Sequence, residues 1–297
     1  MENLSPRTSA ELEELARRAR WLVLSTVAEA GAGHIGGPLS QMDLLLSLYF
    51  NHLRIDPADP AWADRDRFVL SKGHSAIGLY VTLALRGYFP ESELATFDQG
   101  DSRLQGHPDM RLLPGIDAST GSLGQGLSVG AGMALAAKKQ SRGFHTWVVL
   151  GDGESEEGMV WEAAYAAARY GLDNLTAIVD RNGLQQFGWP VGPGDRGDRR
   201  DPWAGADLAG IFRGFGWNVV EIDGHDLGQI RTSYEAADAA RGVSGSPTVI
   251  LAQTVKGKGI SFTEGTYKWH NGIATIEQLD LARAELGVDL VQVGAGR

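Results

Sequence analysis

Asp152 and Asn182 are the two residues whose types and spacing first suggest chemistry. Gly151-Asp152-Gly153-Glu154 ends one apolar run, Asp180-Arg181-Asn182 ends the next, and Asn182 follows Asp152 by 30 positions. That interval is about the length of a strand, a helix and a second strand. Both side chains would then emerge at the same carboxyl edge of a parallel sheet. A carboxylate and an amide oxygen there, beside glycines that let backbone approach closely, make a site for Mg²⁺ carrying a diphosphate.

Seven histidines are available, and four stand in ligand-type loops: Gly33-His34-Ile35-Gly36-Gly37, Lys72-Gly73-His74, Gly106-His107-Pro108 and Lys268-Trp269-His270. A lone histidine is more often a satisfied structural residue, but several such loops coincide with predicted strand ends in one α/β domain, which weighs against that reading. His52, His145 and His225 keep the structural reading, which is weakest for His225 in Asp223-Gly224-His225-Asp226. Ser119-Thr120-Gly121-Ser122-Leu123-Gly124-Gln125-Gly126 feeds a helix and offers backbone N–H groups to an anion or a polar ring. Close packing alone would also explain such a turn, and Gly130 and Gly132 inside the helix read as packing positions. Lys256-Gly257-Lys258-Gly259 is either an ammonium placed on a phosphate or a solvated basic turn.

The elements that must position these groups alternate. Thr8-x-x-Glu11 is a capping box, opening a helix that Gly31-Ala32-Gly33 stops. A second helix runs through Met42, Leu45, Leu48 and Tyr49. Apolar runs at 68–70, 147–150, 177–179, 219–222 and 248–252 read as buried strands, with helical stretches at 75–85, 127–139, 159–169, 208–215 and 227–240. Strands alternating with helices predict a parallel sheet covered on both faces, in one doubly wound α/β domain over residues 1–297. Residues 188–205 read as a long loop over the sheet edge, and the tail after Val288 as a segment that frays.

Forty glycines in 297 residues is about twice the usual share of roughly 7%, and their clustering beside His, Asp and Lys suggests ligand-cradling loops. A net charge of −10 argues against nucleic acid or an anionic membrane as partner. An acidic protein that binds a diphosphate needs a metal to offset the charge. The absence of cysteine removes disulfides, thiolate zinc sites and a thiol nucleophile. With no long apolar run and no leader pattern, the expected compartment is the cytoplasm.

Lys72-Gly73-His74, Gly106-His107-Pro108, Gly121-Ser122-Leu123-Gly124-Gln125-Gly126, Gly151-Asp152-Gly153-Glu154, Asn182-Gly183-Leu184 and Lys256-Gly257-Lys258-Gly259 with Trp269-His270 fall in the order seen in transketolases. From about Ala10 to His270 the chain resembles the amino-terminal, diphosphate-binding part of those enzymes, a thiamine-diphosphate-binding α/β fold. The family's pyrimidine-binding and third domains have no counterpart here, so the resemblance is to the N-terminal subunit of a split transketolase.

That resemblance implies Mg²⁺ on the Asp152 carboxylate, the Asn182 side-chain oxygen and the Leu184 backbone carbonyl. It implies thiamine diphosphate approached through backbone by Gly153 and the Gly121-Ser122-Leu123 turn. His74, Lys256 and His270 would hold phosphate oxygens, and Gln186 would reach the thiazolium side. His34 and His270 would bind substrate, His107 would join them as proton donor or acceptor, and Glu157 would lie between active sites. The implied reaction moves a two-carbon ketol unit from a ketose (phosphate) to an aldose (phosphate). The carboxylate that activates the cofactor comes from the pyrimidine-binding domain in this family, and no residue here matches it. A C-terminal partner subunit in an α2β2 heterotetramer is therefore expected, with a chain that alone binds cofactor poorly. The neighbouring alternatives are a subunit resembling 1-deoxyxylulose-5-phosphate synthase or 2-oxo-acid dehydrogenase E1, or a non-catalytic scaffold. Asn271-Gly272-Ile273 departs from the family's usual continuation and puts the local loop shape, and with it substrate preference, in question.

Overall fold

The strands β1 (Arg67–Leu70), β2 (Thr146–Gly151), β3 (Leu175–Arg181), β4 (Asn218–Asp223) and β5 (Thr248–Gln253) form one sheet in the order β1-β2-β3-β5-β4, with every pairing parallel. This computed structural model describes residues 6–186 and 207–288; the expected loop at 188–205 and the tail after Val288 lie outside the described residues. β2, β3 and β5 are Val/Ile/Leu-rich and buried on both faces, as strands under helices on each side must be. β4, at the edge, is mostly half-exposed. Gly151 pairs with Asp180 and Asp180 with Ala252, so β2, β3 and β5 end level. Asp152, Asn182 and Thr254 leave the sheet at one edge as a result.

Nine helices flank the sheet among the described residues: α1 (Ser9–Ala30), α2 (Gly36–Ser40), α3 (Met42–Asn51), α4 (Ala76–Arg86), α5 (Gln125–Lys139), α6 (Gly158–Arg169), α7 (Leu208–Gly214), α8 (Leu227–Ala240) and α9 (Ile276–Leu286). Strand side chains alternate between two cores. Trp147, Val149 and Ile250 pack with Leu24, Leu45, Tyr80 and Tyr234 from α1, α3, α4 and α8. Val148, Leu150 and Leu251 pack with Leu127, Ala164 and Phe212 from α5, α6 and α7.

Local signals explain several ends. Both bonds of the Thr8–Glu11 capping box form, and α1 stops at Gly31 in the left-handed region. The same device, Thr275 with Gln278, opens α9. α9 and the short α2 are the two helices that the sequence reading omits. α2 carries Gly36, Gly37 and Pro38, a poor helical sequence held by its surroundings; Gly257 N–H, for example, donates to Gly36 O at 3.0 Å. The packing reading holds for Gly130, where a Cβ would stand 2.4 Å from Val148 Cγ2, but not for Gly132, which faces open space.

Candidate active site

A cavity of about 330 Å³ opens at the carboxyl edge of β1, β2, β3 and β5. Of the residues singled out in the sequence, His34, His74, Gly121, Leu123, Asp152, Gly153, Asn182, Leu184, Gln186, Lys256 and His270 line it. Ser122 and His107 do not, and both are exposed. His107 stands beside it, its ring 6.4 Å from that of His34. A larger cavity of about 740 Å³, bounded by Tyr49, Arg54, Trp62 and Arg86, holds none of these groups. Chemistry, not volume, singles out the smaller one.

Asp152 is buried at its floor. Its Oδ1 accepts from Gly153 N–H at 2.8 Å and its Oδ2 from Gly183 N–H at 2.6 Å. Burial, and then the nearby Asp180 carboxylate, nonetheless push its carboxyl up to about 7. A carboxylate so disfavoured would be stabilised by a cation. Asn182 Oδ1 accepts from Leu184 N–H at 3.2 Å, and the carbonyls of Leu184 and Gln185 each accept from Lys256 Nζ at 3.0 Å. Burial draws the Lys256 ammonium down to about 8 against the pull of Asp152. Asp152, Asn182 Oδ1 and the Leu184 carbonyl are an all-oxygen set with one carboxylate, which suits Mg²⁺ completed by phosphate and water oxygens. No group of three or more His, Cys, Asp or Glu residues among those described could hold a metal.

Two buried networks hold this edge, and spacing signals neither. Lys72 and Asp180 form an ion pair that is 2% and 0% exposed at its side chains. Asp180 also accepts from Ser40 Oγ at 2.6 Å and from Thr254 Oγ1, joining α2 and the ends of β1, β3 and β5. Burial would raise the Asp180 carboxyl; the Lys72 ammonium and these donors outweigh it and hold it below the ordinary range. Glu154 accepts from Ser71 Oγ, from Gly124 N–H at 2.9 Å and from Gly151 N–H at 3.0 Å, so it clamps the glycine-rich loop to the end of β2.

His34, His74 and His270 form a triangle with ring centroids 5.0–5.1 Å apart. Burial lowers all three, followed by neighbouring cationic groups, bringing His74 to about 2 and His270 to about 3. Near neutral pH they are uncharged imidazoles, each with one donor and one acceptor. His270 Nδ1 lies 3.0 Å from Lys256 Nζ and accepts from it, which leaves the His270 proton on Nε2.

A pH dependence follows with a definite sign. His74, His270 and the buried structural His145, itself lowered to about 3, have folded values below the unfolded value near 6.5. Their stabilisation is fully present above pH 6.5 and is lost as pH falls toward the folded values, by up to about 1.4 kcal/mol per unit for each. Asp152 acts oppositely: its raised value favours the fold as pH drops from 7 toward 4. Burial also lowers His34 and His52, and raises the Glu154 and Asp238 carboxyls. With five imidazoles against three carboxyls, the metal-free chain is expected to melt lower at pH 5 than at pH 7.5 in scanning calorimetry. An equal or higher melting point at pH 5 would refute this.

Gly121 lines the cavity, and Gly73 packs behind it. Gly121 has φ +150°, and a Cβ on it would lie 2.8 Å from His107 Cδ2. A Cβ on Gly73 would lie 2.6 Å from Gly121 N and Thr120 C, backbone that cannot swing aside. Gly73→Ala is expected to displace this turn and lower both melting temperature and diphosphate affinity, read by thermal shift and calorimetry. The control Gly132→Ala, in open space on α5, is expected to gain up to about 1 kcal/mol.

Residues 12–293 match the family described as transketolase, thiamine diphosphate binding domain. The chain belongs to the transketolase family. It is 43% identical over 276 residues to a 6-deoxy-6-sulfo-D-fructose transketolase subunit from a Clostridium species, covering 93% of this chain and 96% of that protein. It is 41% identical over 275 residues to an apulose-4-phosphate transketolase subunit of Phocaeicola vulgatus, covering 93% of each. Against transketolase 2 of Xanthobacter flavus, at 38% identity, it covers 91% of itself and only 39% of the longer chain. The Campylobacter jejuni transketolase structure superposes with a TM-score of 0.84 at 31% identity, over 95% of this chain and 44% of that one. The parallel sheet expected from the sequence is thus the fold of this transketolase domain. No helix among the described residues is long and apolar enough to cross a membrane.

Proposed function

We propose that this chain is the diphosphate-binding subunit of a two-chain transketolase acting in the cytoplasm on ketose and aldose substrates, phosphorylated or otherwise anionic. One observation carries the reading: Asp152, Asn182 and the Leu184 carbonyl share a cavity with the neutral triangle His34, His74 and His270 and the Lys256 ammonium. Near-full-length similarity to proteins named as transketolase subunits supports the division into two chains.

Asp152, Asn182 and Leu184 would hold Mg²⁺, with His74 and His270 donating to diphosphate oxygens and Lys256 turning to them the proton it now gives to the Leu184 carbonyl. Gly121, Ser122, Leu123 and Gly153 would pass the cofactor through backbone, with Gln186 on the thiazolium side. When bound, thiamine diphosphate supplies cleavage of the ketose carbon–carbon bond and carriage of the two-carbon unit. The chain's own contribution is orientation and proton management. Neutral His34 and His270 hold sugar hydroxyl and carbonyl oxygens, and His107, beside them, gives or takes a proton at those oxygens. A partner subunit would add the pyrimidine-side carboxylate, two of each chain making two sites.

The test is co-purification with the product of the adjacent reading frame, then ketol-transfer assays of the pair and of each chain with Mg²⁺ and thiamine diphosphate. Turnover by the pair alone is expected. Turnover by this chain alone would refute the division of labour, and pyruvate consumption by the pair would point to the synthase-like alternative.

A further inference from the structure

The Asp223-Gly224-His225-Asp226 turn contributes no residue to the cavity, yet each of its members has a defined task. Asp223 Oδ1 accepts from His225 N–H at 2.8 Å and shapes the turn, while Asp226 caps α8. A Cβ on Gly224 would stand 2.5 Å from Thr254 Cγ2, so the turn presses on the chain leaving β5. His225 Nδ1 lies 2.6 Å from Asp43 Oδ2, which Arg20 Nη2 also holds at 2.6 Å. The other ring nitrogen, Nε2, accepts from Val255 N–H at 2.9 Å. A backbone N–H can only donate, so it sets the tautomer: the His225 proton is on Nδ1 and points to Asp43.

Val255 immediately precedes Lys256, whose ammonium reaches the Leu184 and Gln185 carbonyls and His270 Nδ1. The geometry points to His225 as a positioning residue: carried by the Asp43–Arg20 pair, it sets Lys256 at the diphosphate site through the Val255 amide. This rests on the cofactor reading above for its functional consequence, but the positioning itself does not. The arrangement links α1 and α3, remote in sequence, to the Lys256 ammonium in the cavity wall.

Two substitutions separate positioning from mere packing. In His225→Asn the amide nitrogen takes the place of Nδ1 and keeps the donor to Asp43, but nothing reaches Val255. In His225→Gln the side-chain oxygen reaches the place of Nε2 and accepts from Val255, while the donor to Asp43 is lost. In the metal-free chain, amide exchange at Val255 is expected to quicken about tenfold or more in His225→Asn and to stay within about twofold in His225→Gln. Affinity for inorganic diphosphate with Mg²⁺, by calorimetry, should fall about five- to tenfold in His225→Asn and within about twofold in His225→Gln. Melting temperature should rank the other way, because Asn keeps the buried Asp43 bond. Unchanged exchange at Val255 in His225→Asn, or an affinity order that follows melting temperature, would overturn the proposal. If neither the wild-type chain nor its reconstituted pair binds diphosphate, the cofactor reading fails, and exchange at Val255 alone decides whether His225 positions that amide.

Discussion

Asp152→Asn is expected to reduce ketol transfer by the reconstituted pair more than about 100-fold while leaving the chain folded; loss of outer partners alone costs metal sites 10–100-fold. The substitution keeps an acceptor for one of the Gly153 and Gly183 amides and turns an NH2 group toward the other. That unmet donor costs about 1–3 kcal/mol. Against this stands relief of a charge that burial and Asp180 disfavour, a carboxyl pushed up to about 7. Such a group favours the fold below its unfolded value near 3.8, and this contribution is lost as pH rises through 7. The metal-free variant should therefore gain on the wild type between pH 5 and pH 8. Mg²⁺ with thiamine diphosphate should raise the melting point of the wild-type pair and not that of the pair carrying the variant. Activity within tenfold of wild type would refute the proposal that Asp152 is a metal ligand.

Lys72→Met is expected to be the most destabilising single change near the site. The side chains of Lys72 and Asp180 are 2% and 0% exposed, and removing the ammonium leaves Asp180 with the neutral donors Ser40, Thr254 and Asn182. Breaking a buried pair from one side costs about 3–5 kcal/mol. For a domain of a few hundred residues that lowers the melting point on the order of 10 °C. The double variant Lys72→Met/Asp180→Asn should recover most of the loss, because no charge is then stranded. Asp180 is held below its ordinary range, so its stabilisation is complete above its unfolded value near 4 and is lost as pH falls through the folded one. The gap between Lys72→Met and wild type should narrow in acid. A melting point within about 3 °C of wild type at pH 7.5 would mean that water reaches Asp180.

Much of the site is legible in the sequence because its signals are local. The interval from Asp152 to Asn182 is one strand–helix–strand unit, so placing both at a single sheet edge requires only chain geometry. Thr8-x-x-Glu11 announces α1, and Thr275-x-x-Gln278 is the matching signal for α9, the helix that the strand–helix alternation alone does not call for. α2 has no such signal, since Gly36-Gly37-Pro38 becomes helical only where Lys256 and Gly257 pack on it. His225 reads as structural, and its route to Lys256 depends on a turn 30 residues away in sequence. Gly272, in the atypical Asn271-Gly272-Ile273 stretch, would carry a Cβ 2.7 Å from Trp269 Cε3, a contact that spacing does not announce.

Residue type and spacing alone determined the α/β class, the meeting of Asp152 and Asn182 at one sheet edge, the histidine loops and the kinship to transketolases, because each depends on one chain segment or one crossover. Strand order was decided only by the tertiary structure. β5 lies beside β3, with β4 outside it. That order sets Thr254 on Asp180 and Lys256 on the Leu184 carbonyl, and brings the Lys72 ammonium 108 residues along the chain to its carboxylate. Such pairings follow from which strand ends are neighbours in the sheet, and no interval along the chain encodes that.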